Sequence, residues 1–123
     1  MILGTGVDII EIKRVEEVFH TDRRMRRIFT EEEIQSLGGQ NPSRLSGYYA
    51  AKEALSKALG TGIRGISFKE MEVLKNEAGR PYFNLQPLKE HLIRIFGTDR
   101  VKIHLTISHD RARAMAMVII EEA

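Results

Sequence analysis

Ile103-His104-Leu105-Thr106-Ile107-Ser108-His109-Asp110-Arg111-Ala112, with the apolar run that continues to Ile120, decides the fold class. Ile103, Leu105 and Ile107 alternate with His104, Thr106 and Ser108, the period-two signature of a half-buried strand. Residues 112–120 read as an apolar return strand, joined by a short turn at His109-Asp110-Arg111. At the other end, residues 2–12 alternate apolar with small or polar groups and read as a further strand. Residues 68–75 and 80–85 read as a hairpin around Asn76-Glu77-Ala78-Gly79. Helical patterns lie between these strands. Lys13 to about Arg27 reads as one helix or two short ones, with Val15, Val18 and Phe19 on one stripe. Thr30 opens another, with Glu33 three residues on as in a capping box. Gly38-Gly39-Gln40-Asn41-Pro42 ends that helix and starts a loop. Residues 43–59 form an alanine-rich helix with Gly60 as terminator, and residues 87–96 form the last helix, ended near Gly97. There is no internal repeat, low-complexity tract or linker. The expectation is one α+β domain over residues 1–123 with a mainly antiparallel sheet.

Composition narrows the class. At 123 residues, 42% apolar and 29% charged, the chain has the balance of an ordinary globular protein. It has no cysteine, which excludes a disulfide framework, a thiolate zinc site and a thiol nucleophile. No apolar run is long enough to span a bilayer, and Met1-Ile2-Leu3-Gly4 lacks the basic start of a secretory signal. A cytoplasmic protein is the simplest reading. The net charge is +2, yet residues 13–27 carry six basic and three acidic side chains. Such a block points to an anionic partner or to a solvated helical face.

The residues with chemistry in them are few. Tyr49-Ala50-Ala51-Lys52-Glu53-Ala54-Leu55-Ser56-Lys57-Ala58-Leu59-Gly60-Thr61-Gly62 is a small-residue helix running into a glycine turn. Its alanines allow another element, or a ligand, close to the backbone. Glu53 and Lys57 share a face one turn apart, which is the ordinary stabilising helix pair and also suits a metal-bound phosphate. Asp8 falls on the strand face of Ile10 and Ile12, preceded by Gly4 and Gly6. A carboxylate there needs a partner or a cation, and the glycines allow a ligand to approach; an Asp near a strand end that is solvated or paired with arginine is the plainer alternative. Asp8 and Glu53 are hard oxygen donors of the kind magnesium prefers. None of the four histidines has metal-ligand spacing. His104 is expected to be partly exposed, whereas His109, at a strand end after Ser108, is better placed to meet a polar ligand. Ser46, Ser56 and Ser108 lack nucleophile-elbow glycines, and Gly4-Thr5-Gly6 and Gly60-Thr61-Gly62 lack Walker or Rossmann spacing.

Taken in order, these segments resemble the holo-acyl-carrier-protein synthases, the small bacterial 4'-phosphopantetheinyl transferases. The resemblance rests on Gly4-Thr5-Gly6-Val7-Asp8-Ile9-Ile10-Glu11 and Phe29-Thr30-Glu31-Glu32-Glu33. It continues through Ala50-Ala51-Lys52-Glu53-Ala54 with Lys57-Ala58 and Gly60-Thr61-Gly62, then Gly79-Arg80-Pro81 and Ile107-Ser108-His109. Each alone is weak; the ordered set covers nearly the whole chain and is specific.

The resemblance implies transfer of the phosphopantetheine arm of coenzyme A to a serine of apo acyl carrier protein, releasing adenosine 3',5'-bisphosphate. It implies Mg2+ held by Asp8 and Glu53, and Lys57 at the phosphates. Gly60, Gly62, Ser108 and His109 match positions near coenzyme A. It also implies a homotrimer with active sites between subunits. Tyr48 departs from the arginine or bulky non-tyrosine residue that many members carry there. The acceptor serine's proton would go to Glu53 or to a metal-bound water. The basic block then has a role as a dock for the acidic carrier, through Arg14, Arg23, Arg24 and Arg27, and neither nucleic acid nor membrane is expected as a partner. Two other classes compete. A nucleic-acid module would use Arg23, Arg24, Arg26 and Arg27, but only Phe19 and Phe29, at the edges of the cluster, offer rings for stacking. An inactive structural trimer would require a broken metal site.

Overall fold

A computed structural model describes residues 1–38, 41–60 and 64–123. Strand β1 (Ile2–Glu11) leads into helices α1 (Ile12–Val18), α2 (Asp22–Ile28), α3 (Glu31–Ser36) and the long α4 (Pro42–Leu59). A short hairpin follows, β2 (Val73–Lys75) and β3 (Pro81–Phe83), then helix α5 (Lys89–Phe96) and the hairpin β4 (Val101–His109) and β5 (Arg113–Glu122). The fold is α+β, and both sheets are antiparallel: three strands in the order β1-β5-β4, and the pair β2-β3.

The central strand explains the layering. Along β5, Ala114, Ala116, Val118 and Ile120 are fully buried while Met115 and Met117 are exposed. The inward face is thus half small residues, and α4 lies across it. On neighbouring β1 the inward positions include Gly4 and Gly6. A Cβ on Gly4 would stand 2.1 Å from the carbonyl oxygen of Ala58, and one on Gly6 would stand 2.0 Å from that of Ala54. The glycines therefore admit the backbone of α4, where a ligand had been expected. Ala50, Ala51 and Ala54 are completely buried, so small residues on both sides let helix and sheet approach closely.

The hairpin of β4 and β5 has the expected alternation, but its turn falls one residue later than expected, between His109 and Arg113, with Asp110 accepting from the backbone N–H groups of Ala112 and Arg113. Thr30 and Glu33 form the expected capping box. The basic region is two short helices, separated at Thr21, whose side chain caps α2. Several expectations are corrected. Val18 is 41% exposed, so only Val15 and Phe19 of the proposed stripe enter the core. Ile12 starts α1 and does not end β1. The first hairpin is much shorter than its apolar pattern, because Ser67 and Glu70 form a capping box that winds Phe68–Glu70 into a 3-10 turn. Pro42 starts α4, with Asn41 as its cap, and is not a loop residue. The turn at Gln86–Leu88 precedes α5, which ends at Gly97 with φ +78°.

Candidate active site

Asp8 leaves β1 on the side facing α4, and Glu53 leaves α4 toward β1. Both line one cleft of about 430 Å³, together with Ile9, Ile10, Glu11, Arg14, Val15, Val18, Phe19 and Tyr49. The close contact of α4 with β1 through Gly4 and Gly6 brings these two carboxylates, 45 positions apart in the chain, to one place. Arg14, expected to meet a carrier protein, enters the same cleft from α1.

Asp8 has two unlike oxygens. Oδ1 accepts from Lys57 Nζ at 3.0 Å. Oδ2 is buried and has no hydrogen-bond partner. An unsatisfied buried carboxylate oxygen is costly, and a hard cation is a natural remedy. Glu53 supplies a second donor of the same kind. Among the described residues no three His, Cys, Asp or Glu side chains gather closely enough to hold an ion by themselves. That count fits Mg2+, which takes one or two carboxylates and completes its shell with water and substrate phosphates.

Lys57 corrects one expectation and sharpens another. Its ion-pair partner is Asp8, and its ammonium also donates to the Val7 carbonyl at 3.0 Å. Glu53, its neighbour one turn back, forms no ion pair among the described residues. The Lys57 side chain is 55% exposed, so its charge stays open to a ligand.

Tyr49 was not singled out by sequence. Its ring packs against Phe19 and Phe68, and its hydroxyl is pushed up to about 12 by burial, by the charge of Glu53 one turn on and a hydrogen bond to it, and by Asp8, with Arg14 opposing. Its position four before Glu53 is the signal that had been available.

Lys52, quoted only as part of a motif, is wholly buried with Glu33. Its ammonium donates to Glu33 at 2.8 Å and to the carbonyls of Phe68 and Met71 at 2.8 and 3.0 Å. Glu33 also accepts from the backbone N–H groups of Thr30 and Val73. Burial lowers the Lys52 pKa, and Glu33 and then Glu72 oppose that.

Ser108 and His109 are exposed at the end of β4 and border a separate cleft with Ile9, Asp110, Arg113, Ala114 and Met115. His109 also borders a cleft of about 450 Å³ that holds two cationic side chains missed from sequence, Arg44 and Lys75. Burial and then the charge of Arg44 lower the Lys75 pKa. Tyr48 meets this cleft, though it is 2% exposed, and its hydroxyl pairs with Ser36 at 2.9 Å. Within this one chain, Ser108 and His109 do not line the cleft of Asp8 and Glu53. Gly60 caps α4 with φ +66° and open space around it, while Gly62 lies outside the described residues.

Arg23, Arg24 and Arg27 are exposed on α2. Arg26 is held by Asp22 and Glu31. Phe19 and Phe29 are 8% and 1% exposed and pack edge to face. Neither ring is offered to a base, which weakens the nucleic-acid alternative. No described helix is long and apolar enough to cross a membrane.

Residues 4–116 match the family described as the 4'-phosphopantetheinyl transferase superfamily. The chain is 41% identical to a holo-[acyl-carrier-protein] synthase of Clostridium perfringens, over 98% of this chain and 95% of that one. It is 42% identical to a synthase of the same name from Clostridium botulinum, over 98% of each. Among solved structures, it resembles a holo-(acyl-carrier-protein) synthase from Bacillus anthracis in complex with CoA (3',5'-ADP). That likeness has a TM-score of 0.79 and 36% identity, and covers 100% of this chain and 99% of the other.

Proposed function

Because the chain belongs to the 4'-phosphopantetheinyl transferase superfamily, among the holo-[acyl-carrier-protein] synthases, we propose that Asp8, Glu53 and Lys57 form its reaction centre. In this reading the whole chain is one catalytic domain. It moves 4'-phosphopantetheine from coenzyme A to a serine of apo acyl carrier protein and releases adenosine 3',5'-bisphosphate. The observation that carries the reading is the convergence of Asp8 and Glu53 on one cleft, with the Asp8 Oδ2 left unpartnered.

Asp8 Oδ2 and the Glu53 carboxylate would hold Mg2+. When bound, that ion supplies charge neutralisation at the pyrophosphate. Phosphoryl transfer demands positioning and electrostatics more than covalent help. Lys57, anchored on β1, presents an ammonium to a phosphate oxygen and so stabilises charge on the leaving bisphosphate. The serine oxygen forms its bond to the phosphorus that carries pantetheine as the bridging oxygen departs. A carboxylate has two oxygens, so Glu53 can hold the ion with one and take the serine proton on the other.

The nucleotide end of coenzyme A belongs with Gly60, Gly62, Ser108 and His109, and Arg44 and Lys75 beside His109 suit a phosphate. Ser108 and His109 would complete a neighbour's site in a homotrimer. The support is the outer sheet face, where Val7, Ile9, Met115 and Met117 are exposed at 51%, 59%, 40% and 44%, an apolar patch that asks for cover. Arg14, Arg23, Arg24 and Arg27 face the acidic carrier. A cytoplasmic setting completes the reading.

The test is intact-mass spectrometry of apo acyl carrier protein incubated with the chain, coenzyme A and Mg2+, with and without chelator. A gain of the phosphopantetheine mass that chelator abolishes is expected. No gain, or a gain that chelator leaves untouched, contradicts the reading.

A further inference from the structure

Lys57 does more than wait for a phosphate. We infer that it is the resident counter-ion of Asp8 in the free enzyme, so that a divalent ion binds the protein alone weakly and enters with the pyrophosphate of coenzyme A. This rests on the assignment of Asp8 and Glu53 as cation ligands.

The geometry sets the charge balance. Lys57 Nζ is fixed by two acceptors on one strand, Asp8 Oδ1 and the Val7 carbonyl, each at 3.0 Å. Strand β1 lies at the sheet edge, so the ammonium caps an edge carbonyl as well as the carboxylate. Arg14 contributes a second positive charge to the cleft of Asp8 and Glu53. Glu11 lines that cleft as well, yet no three ligand-type side chains gather among the described residues. A divalent ion approaching the free enzyme therefore meets an Asp8 already paired with a cation and a second positive charge at Arg14, and too few donors. A pyrophosphate reverses both conditions, since it adds negative charge and supplies oxygen ligands. A lysine ammonium has three N–H donors, and β1 takes two of them. The third reaches a phosphate oxygen without breaking the pair with Asp8, which links the carboxylate to the substrate through one side chain.

The test is binding of Mn2+ as a magnesium substitute, read by the loss of the free-ion electron paramagnetic resonance signal. Carrier protein is left out so that no turnover occurs, and coenzyme A alone serves as the control. Wild type is expected to bind Mn2+ at least about tenfold tighter with coenzyme A than without it. Without coenzyme A, Lys57→Met is expected to bind Mn2+ roughly fivefold tighter than wild type, a modest factor because the side chain is half exposed. Lys57→Arg, which keeps the charge, should restore weak binding. Asp8→Asn should lose binding in both conditions. An unchanged or weaker affinity in Lys57→Met, beside loss in Asp8→Asn, overturns the counter-ion role and leaves the ligand assignment standing. Full binding by Asp8→Asn in the presence of coenzyme A overturns the assignment, and the inference with it. Thermal melting of each variant confirms that it is folded.

Discussion

Helix α4 carries two lysine–carboxylate pairs five residues apart, and they differ in almost every physical respect. Lys52 and Glu33 are completely buried, and every donor and acceptor between them is used. Lys57 and Asp8 sit at 55% and 14% exposure, and one carboxylate oxygen has no partner. The first pair joins α3, α4, the 3-10 turn at Phe68 and β2. It is complete, so nothing is left over for a ligand. The second is incomplete in a way that a cation and a phosphate would correct. An ion pair alone thus says little about role; the count of unsatisfied atoms around it separates scaffold from site.

The comparison is broken most severely at its buried end. Lys52→Met leaves Glu33 as an uncompensated buried charge and should cost about 3–5 kcal/mol of stability in urea denaturation. Glu33→Leu added to it should recover only part of that loss, because the N–H groups of Thr30 and Val73 then lose their acceptor. Full recovery would mean that the backbone donors contribute little.

Gly6→Ala tests the contact that unites the two pairs on one helix. The new Cβ would meet a backbone carbonyl at 2.0 Å, so α4 must move away from β1. A loss of about 1–3 kcal/mol is expected, together with reduced turnover as Lys57 leaves Asp8. Reduced stability with full turnover would show that the site tolerates a looser helix.

The smallest effect lies away from both pairs. Arg24→Glu with Arg27→Glu, on the exposed face of α2, should raise KM for acyl carrier protein roughly tenfold, about 1.4 kcal/mol. KM for coenzyme A and the melting temperature should stay put. Equal effects on both substrates would remove α2 as the carrier dock.

How much of this was legible beforehand follows from which physical signals are local. The alternation at Ile103, Leu105 and Ile107, the capping box of Thr30 and Glu33, and the glycine after α4 are patterns within a few residues, and each is present in the structure. The ordered motifs placed the chain in its family. The second role of Glu33 was hidden, because its partner Lys52 lies 19 residues on and a lysine beside a glutamate reads as exposed. The length of β2 was overestimated because Ser67 caps a 3-10 turn that takes up Phe68–Glu70. Gly4 and Gly6 stood out as permissive, but that the visitor is a helix depends on Ala54 and Ala58, half a chain away. The pairing of Lys57 with Asp8 over its helical neighbour Glu53 is likewise a tertiary fact that i,i+4 spacing does not contain.

Asp8→Asn, with stability and turnover measured on the same preparation, tests the division of labour most directly. The variant removes the charge from a site that is incomplete without a ligand. Urea denaturation should therefore show wild-type stability or a small change, while turnover of apo acyl carrier protein falls by about 10³-fold, near 4 kcal/mol of transition-state stabilisation. Turnover close to wild type, or loss of activity that merely follows unfolding, would contradict the account.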